Sequence, residues 1–230
     1  MLMEKSIILK NGLKEFSLKD EKITALDNVD LEIKTGKLYV IMGHSGSGKS
    51  TLIQILGLLD NLTDGLLYIN GQEVSDYSEN DKADIRKNEI GFVFQSFYLN
   101  PKLTAIENVM LPMYINNSID SKDRRKNALK LLAKFGLENR INHYPKELSG
   151  GEQQRIAIAR ALANNPNFIL ADEPTGNLDV KNEEIVYNTL RDLADSGKAV
   201  VVVSHNENIK KYADEVLIME YGKLRKEIWD

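Results

Sequence analysis

Cysteine is absent from this chain of 230 residues, and proline is scarce, with five residues. The lack of cysteine excludes disulfides, thiolate nucleophiles and cysteine-based zinc sites, and it agrees with a reducing compartment. An excess of positive charge is also missing, because 30 Lys and Arg residues stand against 34 Asp and Glu. Nucleic acid is therefore a poor candidate for a partner, since its phosphate backbone is neutralised by Lys and Arg side chains.

Long apolar runs are missing as well. The longest, residues 52–59 and 199–203, fall far short of the ~20 residues that span a bilayer, so we expect no direct membrane insertion. The opening segment, MLMEKSIILKNG, has a charge inside its apolar run and no small-residue cleavage site, so it does not resemble a secretory signal. Together these absences predict a cytosolic protein.

The length allows one large domain or one domain with an inserted subdomain. Short strand-like segments dominate residues 1–40, strand and helix then alternate, and a mostly helical stretch follows over about 97–163. The predicted strands are 7–9, 30–33, 38–42 and 66–70, and a helix is predicted at 50–59.

The middle and end of the chain complete an α/β pattern. Two later runs, 168–171 and 199–204, are almost wholly apolar, as strands buried on both faces of a parallel sheet must be. A hairpin through Tyr221 and Gly222 is predicted to follow them. The helical stretch has its predicted N-cap at Ser121, its apolar face at Ala128, Leu132 and Phe135, and its end at Gly136.

The sequence GHSGSGKS, from Gly43 to Ser50, fits the phosphate-loop pattern G-x4-G-K-[ST] between a predicted strand and a predicted helix. Backbone N–H groups of such a loop converge on one spot and can hold phosphates, while Lys49 supplies a positive charge and Ser50 a Mg²⁺ ligand. The alternative is a chance match, which the strand–loop–helix context disfavours. The expected nucleotide-binding residues here are Gly43, His44, Ser45, Gly46, Ser47, Gly48, Lys49, Ser50 and Thr51.

A second motif, NFILADEP at residues 167–174, is an apolar strand that ends in two carboxylates. Ligands of open α/β sheets bind at this carboxyl edge. Asp172 is suited to holding Mg²⁺ through water, and Glu173 to polarising the water that attacks a γ-phosphate. A solvated turn is the usual alternative for such a pair, and the upstream phosphate loop favours the functional interpretation.

The third motif, LSGGEQQR at residues 148–155, runs into a helical pattern. Its first residues, Ser149, Gly150, Gly151 and Glu152, lie at the predicted helix N-terminus, which is a second potential anion site. An ordinary N-cap at Ser149 is the alternative. A structural cap alone would not require two adjacent glycines and the polar Gln-Gln-Arg turn that follows.

In combination these motifs resemble the ATPase subunits of ABC transporters over essentially the whole chain. The resemblance implies an α/β P-loop NTPase with a RecA-like core, an N-terminal antiparallel β subdomain and an inserted α-helical subdomain. It implies a single domain over residues 1–230, with the catalytic core and β subdomain in 1–95 and 165–230 and the helical subdomain in approximately 96–164. ATP and Mg²⁺ are the implied cofactors.

The resemblance also implies roles for further residues. Phe16 matches the aromatic position that stacks on adenine, where many relatives have Tyr. Gln95 matches the glutamine that contacts Mg²⁺ and the attacking water, and His205 the histidine that contacts the γ-phosphate, although a lone His after a strand is more often a surface residue. Asn177, Leu178 and Asp179 resemble the loop that crosses the dimer interface, with Asn where Ala or Ser is commoner. The implied catalytic residues are Glu173, His205, Gln95 and Lys49.

Two partners follow from the resemblance. One is a second copy of the chain in an ATP-dependent head-to-tail homodimer, in which the signature residues Ser149 to Glu152 of one chain close on the nucleotide of the other. The other is an integral membrane permease, which would hold the protein on the inner face of the cell membrane. The expected docking residues are Phe97, Tyr98, Leu99 and Leu103, whose alternative role is to pack the helical subdomain.

Within the family the chain resembles the branch of macrolide-exporter, lipoprotein-releasing and antimicrobial-peptide-resistance ATPases. That branch implies export or extraction of a peptide, drug or lipoprotein-like substrate. A mechanotransmission ATPase that regulates cell-wall hydrolysis or division without transport would have nearly the same cassette. A DNA-repair or chromosome-type ATPase is a remote alternative, because such proteins carry long heptad insertions that this sequence lacks.

Overall fold

The computed structural model describes residues 5–18, 21–116 and 119–227. An antiparallel sheet is formed by β1 (Ser6–Leu18), β2 (Glu21–Lys34), β4 (Asp64–Ile69) and β5 (Gln72–Glu73), in the order β2-β1-β4-β5. Its register pairs Ile7 with Ile33 on one side and with Ile69 on the other. The strands predicted at 7–9, 30–33 and 66–70 are confirmed. The opening segment begins in residues 1–4, outside the described residues.

A second, six-stranded sheet has the order β10-β9-β3-β8-β7-β6. Its pairs are parallel except for the hairpin of β9 and β10, which turns at Tyr221 and Gly222 as predicted. The central strands are buried along their length, which explains their uniformly apolar sequences. The strands are β3 (Leu38–Met42), β6 (Ile90–Phe94), β7 (Phe168–Asp172), β8 (Ala199–Ser204), β9 (Glu215–Glu220) and β10 (Lys223–Lys226).

Six α-helices lie in the described residues: α1 (Lys49–Leu56), α2 (Glu79–Glu89), α3 (Ala105–Ile115), α4 (Ser121–Lys134), α5 (Gly150–Ala161) and α6 (Val180–Asp195). Helix α1 ends before the predicted residue 59, because the chain turns at Gly57 and Leu58 has a left-handed φ of 57°. The N-cap of α4 is Asp120, not the predicted Ser121, and it accepts a hydrogen bond from Lys122 N. None of these helices is long and apolar enough to cross a membrane.

Helix α5 joins two of the three hydrophobic cores. One core fills the space between the antiparallel sheet and one face of the parallel sheet, with α1. A second lies on the other face of the parallel sheet with α6 and includes Ile158 of α5. The third packs α3, α4 and α5 together through Ile156 and Ala159. Helix α5 therefore links the helical insertion to the parallel sheet, and Leu131 and Phe135 pack against both cores as well.

Candidate active site

Four parallel strands end side by side at one edge of the larger sheet. Their final residues are in register, since Met42 pairs with Ser204, Asp172 with Val203 and Phe94 with Asp172. This carboxyl edge is where open α/β sheets bind their ligands. The residues that directly follow the four strands are Gly43, Gln95, Glu173 and His205.

The phosphate loop connects β3 to the N-terminus of α1. Lys49 is buried, and its Nζ donates to the carbonyl oxygens of Gly43 and His44, at 2.8 Å each. Gly48 has φ 107°, and a side chain there would collide with the carbonyl oxygen of Ala25 on β2. A helix N-terminus preceded by a loop of small residues leaves N–H groups available for an anion.

The hairpin turn of β9 and β10 supports this loop. The sequence alone did not indicate this contact. Gly222 N donates to Ser47 O at 3.1 Å, and Gly222 O accepts from Asp27 N at 2.9 Å. The ring of Tyr221 packs edge-on against His44, with centroids 5.5 Å apart. The turn thus ties the loop to β2 on one side and to the end of the sheet on the other.

Two carboxylates stand next to the loop. Ser50 Oγ lies 3.4 Å from Asp172 Oδ1. Burial raises the pKa of Asp172 above its ordinary value, while the Ser50 hydroxyl and the Lys49 charge act in the opposite direction. A buried carboxylate beside a hydroxyl is an environment in which a cation relieves the desolvation of the charge.

Glu173 is held in an unusual conformation. Its φ is 47°, in the left-handed region, and its peptide N donates to Val203 O at 2.9 Å. The carboxylate accepts from Ser204 Oγ at 3.2 Å and lies 2.9 Å from His205 Nδ1. An ionised carboxylate can only accept, so Nδ1 is the donor in this pair. Both contacts aim the carboxylate along the edge of the sheet.

A cleft of about 710 Å³ opens over these groups. Its size lies in the range of small-molecule binding sites. The predicted residues that line it are Phe16, Ser45, Gly46, Gly48, Lys49, Ser50, Thr51, Gln95, Glu173 and His205. The ring of Phe16 lies at the wall formed by β1 and β2, with Lys14 Nζ 4.9 Å from its centroid. The other predicted loop and strand residues, Gly43, His44, Ser47 and Asp172, adjoin the cleft without lining it.

The signature residues lie elsewhere in the chain. Ser149 is the N-cap of α5, and it forms a capping box with Glu152, whose carboxylate also accepts from Arg140 Nε at 2.7 Å. These donors, Arg140 foremost, lower the pKa of Glu152 to about 2. In the described part of the chain, no residue from Ser149 to Glu152 lines the cleft. The interpretation of Ser149 as a structural N-cap is thus confirmed, and Ser149 is exposed, whereas Gly151 is buried.

The loop expected at a dimer interface contacts the residues around Gln95. Asn177 Nδ2 donates to the carbonyl oxygen of Gln95 at 3.0 Å, a contact that Ala cannot make. The side chain of Leu178 lies close to Gly150, and Asp179 caps α6 by accepting from Asn182 N at 2.9 Å. Asn at position 177 therefore ties this loop to the segment after β6.

The expected docking residues differ in exposure. Tyr98 is 68% exposed, whereas Phe97, Leu99 and Leu103 are half-buried, and Leu99 packs against the core of α3 to α5. Leu99 therefore takes part in packing the helical subdomain, which was the alternative role, and the docking role of the four residues stays a prediction. Tyr98 lines a groove of about 480 Å³ between the sheet and the helical insertion, together with Phe92, Phe94, Pro112, Arg86 and Arg160.

The sequence motifs did not identify Arg160 and Gln154 of α5 as site residues, although the polar turn Gln-Gln-Arg belongs to the third motif. Arg160 donates to the carbonyl oxygens of Phe97, at 2.7 Å, and Tyr98. These two residues have left-handed φ values of 39° and 49°, so the guanidinium holds a strained turn. Gln154 is fully buried and reaches the ends of β6 and β7. Hydrogen bonds to backbone carbonyls of distant segments leave no pattern in a sequence.

Known proteins resemble this chain closely. The sequence model of the family described as ABC transporter matches residues 26–176. An ABC transporter ATP-binding protein of Methanocaldococcus jannaschii is 48% identical, over 94% of this chain and 96% of that protein. A lipoprotein-releasing system ATP-binding protein of Francisella tularensis is 43% identical, over 94% of both chains. A macrolide export ATP-binding/permease protein of Bdellovibrio bacteriovorus is 47% identical over 95% of this chain, which spans 33% of that longer protein.

A solved structure is similar over nearly the whole chain. It is an ATP-binding cassette in a dimeric post-hydrolysis state bound to ADP and phosphate, with a TM-score of 0.88, 46% identity, and coverage of 96% of this chain and 97% of that one. A phosphate loop and an acidic strand end on one parallel sheet define a P-loop nucleotide hydrolase. Together with the matches above, this shows that the chain belongs to the ABC transporter family and is an ATP-binding subunit with ATPase activity.

Proposed function

We propose that this subunit powers a separate membrane permease, and that the cleft residues perform the hydrolysis in the roles given below. The observation that carries the proposal is the cleft itself. It places the buried cation of Lys49, the hydroxyl of Ser50 and the carboxylate of Glu173 around one space, with an aromatic ring at its outer wall.

In this arrangement Phe16 stacks on the base, and the loop N–H groups hold the phosphates. Lys49 exchanges its contacts with two loop carbonyls for the β- and γ-phosphates, which its flexible side chain permits. The first turn of α1 contains no acidic residue, so nothing there opposes an anion.

Mg²⁺ fits the same space. Ser50 Oγ, Gln95 and, through water, the desolvated carboxylate of Asp172 are oxygen ligands of the kind that Mg²⁺ prefers. When bound, the ion neutralises charge on the β- and γ-phosphates.

Glu173 is the group that polarises the attacking water. Ser204 and His205 fix its carboxylate, and the His205 ring, which lines the cleft, would contact the γ-phosphate. Gln95, at the end of β6, would orient the water and serve as a ligand of the metal.

We expect Glu173→Gln to bind ATP with nearly normal affinity and to hydrolyse it at least about 100-fold more slowly, because a general base of this kind contributes about 10²–10⁴ in rate. Single-turnover hydrolysis and nucleotide titration measure the two effects. Glu184→Gln, a change at an exposed position of α6, serves as the control. Hydrolysis within tenfold of the wild-type rate would contradict the assignment of Glu173.

The ATPase works as a head-to-tail homodimer in this proposal. Ser149 and Gly151 lie outside the cleft of their own chain, and the similar cassette has been solved as a dimer. The exposed N-terminus of α5 from the partner chain would then complete the γ-phosphate site.

The permease and location follow from the relatives. In the macrolide exporter an ATP-binding and a permease function share one polypeptide, and in the lipoprotein-releasing system the ATP-binding protein is separate. We therefore propose export or extraction of a peptide, drug or lipoprotein-like substrate, with this chain on the inner face of the membrane. The groove beside Tyr98 is the proposed permease docking site.

We expect Tyr98→Glu to release the protein from membranes of its native host, because a charge in the apolar part of the groove opposes docking. Fractionation followed by quantitative immunoblotting measures the effect. Tyr77→Glu, at another exposed tyrosine that does not line the groove, should remain membrane-associated. Membrane association of Tyr98→Glu at the wild-type level would place the docking site elsewhere.

A further inference from the structure

Gln154 is a fully buried polar side chain of helix α5 that reaches the segments that follow two strands, β6 and β7. Its Nε2 donates to Pro174 O at 2.7 Å and also approaches Phe94 O at 3.5 Å, a long contact. Its Oε1 has no hydrogen-bond partner among the described residues. The amide nitrogen is thus the atom through which this side chain acts on its surroundings.

The two carbonyl groups belong to the residues next to the proposed catalytic ones. Phe94 immediately precedes Gln95, and Pro174 immediately follows Glu173. Strands β6 and β7 pair directly, with Phe94 opposite Asp172, and Pro174 follows Asp172 by two residues, so the amide nitrogen reaches the ends of both strands. The amide nitrogen therefore holds the peptide unit of Pro174 firmly and that of Phe94 through a longer contact.

The backbone at this place needs such a constraint. Glu173 has a left-handed φ of 47°, a conformation that persists only when neighbouring contacts impose it. Gly176 lies against the side chain of Gln95, where a larger residue would collide with it. A hydrogen bond to Pro174 O restrains the loop between these two points.

We propose that Gln154 is a positioning residue, which sets the position of Gln95 relative to Glu173 and ties both to the signature helix. The inference rests on the catalytic roles proposed above for Gln95 and Glu173. Gln154 lies on the same helix as Ser149, so closure of that helix end on a nucleotide would reach the two residues through this amide.

A purely structural role would be served at least as well by an apolar side chain of similar length. A buried amide oxygen without a partner is unfavourable, and Met at this position would remove it. Gln154→Met is therefore expected to fold, and it deletes the donor to both carbonyl groups. The neighbouring Gln153 donates only to Leu148 O within α5's own N-terminal region, at 3.1 Å, so Gln153→Met is the matched control.

The test is steady-state ATPase kinetics of the full chain with Mg²⁺ and ATP, in a double-mutant cycle with Gln95→Ala. We expect Gln154→Met to lower kcat by about tenfold to a hundredfold, as misplacement of catalytic groups by about 1 Å does, with KM for ATP within about twofold. In the Gln95→Ala background the same change should lower kcat by less than about threefold, because its effect passes through Gln95. Gln153→Met should stay near wild type in both backgrounds.

An equal loss of kcat in both backgrounds, or a wild-type kcat in Gln154→Met while Gln95→Ala is impaired, would overturn this inference alone. An unchanged kcat in Gln95→Ala would instead contradict the proposed role of Gln95. Gln154→Leu removes the donor without adding a charge, so it should reproduce the same division between kcat and KM if Gln154→Met is too unstable to assay. A lower melting temperature with unchanged kcat in either variant would show a structural role and overturn the proposal.

Discussion

Glu173 concentrates strain and polar contacts at one residue. A non-glycine residue in the left-handed region costs about 1–3 kcal/mol, which the surrounding structure must offset. Here the Val203 carbonyl, the Ser204 hydroxyl and the His205 ring all contact Glu173. The sequence predicted a strand that ends in the pair Asp172 and Glu173. The strand is confirmed, as β7 ends at Asp172 and Glu173 follows it directly. The backbone reversal and the His205 contact could not be predicted, because they depend on β8 lying beside β7.

Also at the scale of single residues, Asp172→Asn should make the nucleotide-free protein more stable and less active. Burial raises the pKa of Asp172, so the folded state disfavours its ionised form, and the neutral amide removes this penalty. The stabilisation relative to wild type should grow as pH rises through the pKa of Asp172. Melting temperatures over a pH series and ATPase rates at saturating Mg²⁺ check the two effects. A variant less stable than wild type at neutral pH would show that Asp172 stabilises the fold.

At the scale of elements, the predicted strands and helices were confirmed more often than their ends. The alternation of apolar and polar residues fails after Leu9, yet strand β1 continues to Leu18. It does so because register shifts at Gly12 and Lys14 restore its pairing with β2. Asp120 and Ser121 are both good N-caps, and only the backbone decides between them. Helix α2 is so polar that it has no apolar face, so the hydrophobic periodicity of the sequence did not predict it.

Helix α5 is stabilised at its start by the capping box and by Arg140. The pKa of Glu152 falls from 4.5 to about 2, so the ionised form is favoured by folding. This stability is fully present above 4.5 and is lost as pH falls through about 2. We expect Glu152→Gln to lower the unfolding free energy at neutral pH by about 1 kcal/mol, since Arg140 is partly solvated.

Urea unfolding of wild type and Glu152→Gln over a pH series measures this contribution. The difference between the two proteins should shrink as pH falls below 4.5, because Glu152 then loses its charge in the unfolded chain first and in the folded chain later. A difference that is independent of pH would show that the ion pair with Arg140 contributes nothing, and that only the cap matters.

At the scale of the whole molecule, the motifs predicted the composition of the cleft far better than its arrangement. Residues from the start, middle and end of the chain meet there because the strand order places β3, β8, β7 and β6 side by side. No local pattern encodes that order. The support of the phosphate loop by the β9–β10 turn, the contact of Asn177 with Gln95 and the half-buried position of Leu99 all follow from it.

The central claim is that two chains share each ATP site, since the signature residues do not line the cleft of their own chain. The most direct measurement is the ATPase rate of a mixture of Lys49→Ala and Ser149→Arg, each inactive alone. In a mixed head-to-tail dimer one site carries both changes and the other carries neither. Equal amounts should restore up to about a quarter of the wild-type rate, because half of the dimers are mixed and each has one intact site. If differently tagged chains demonstrably form mixed dimers and the rate stays at the level of either parent, the two chains do not share their sites in this way.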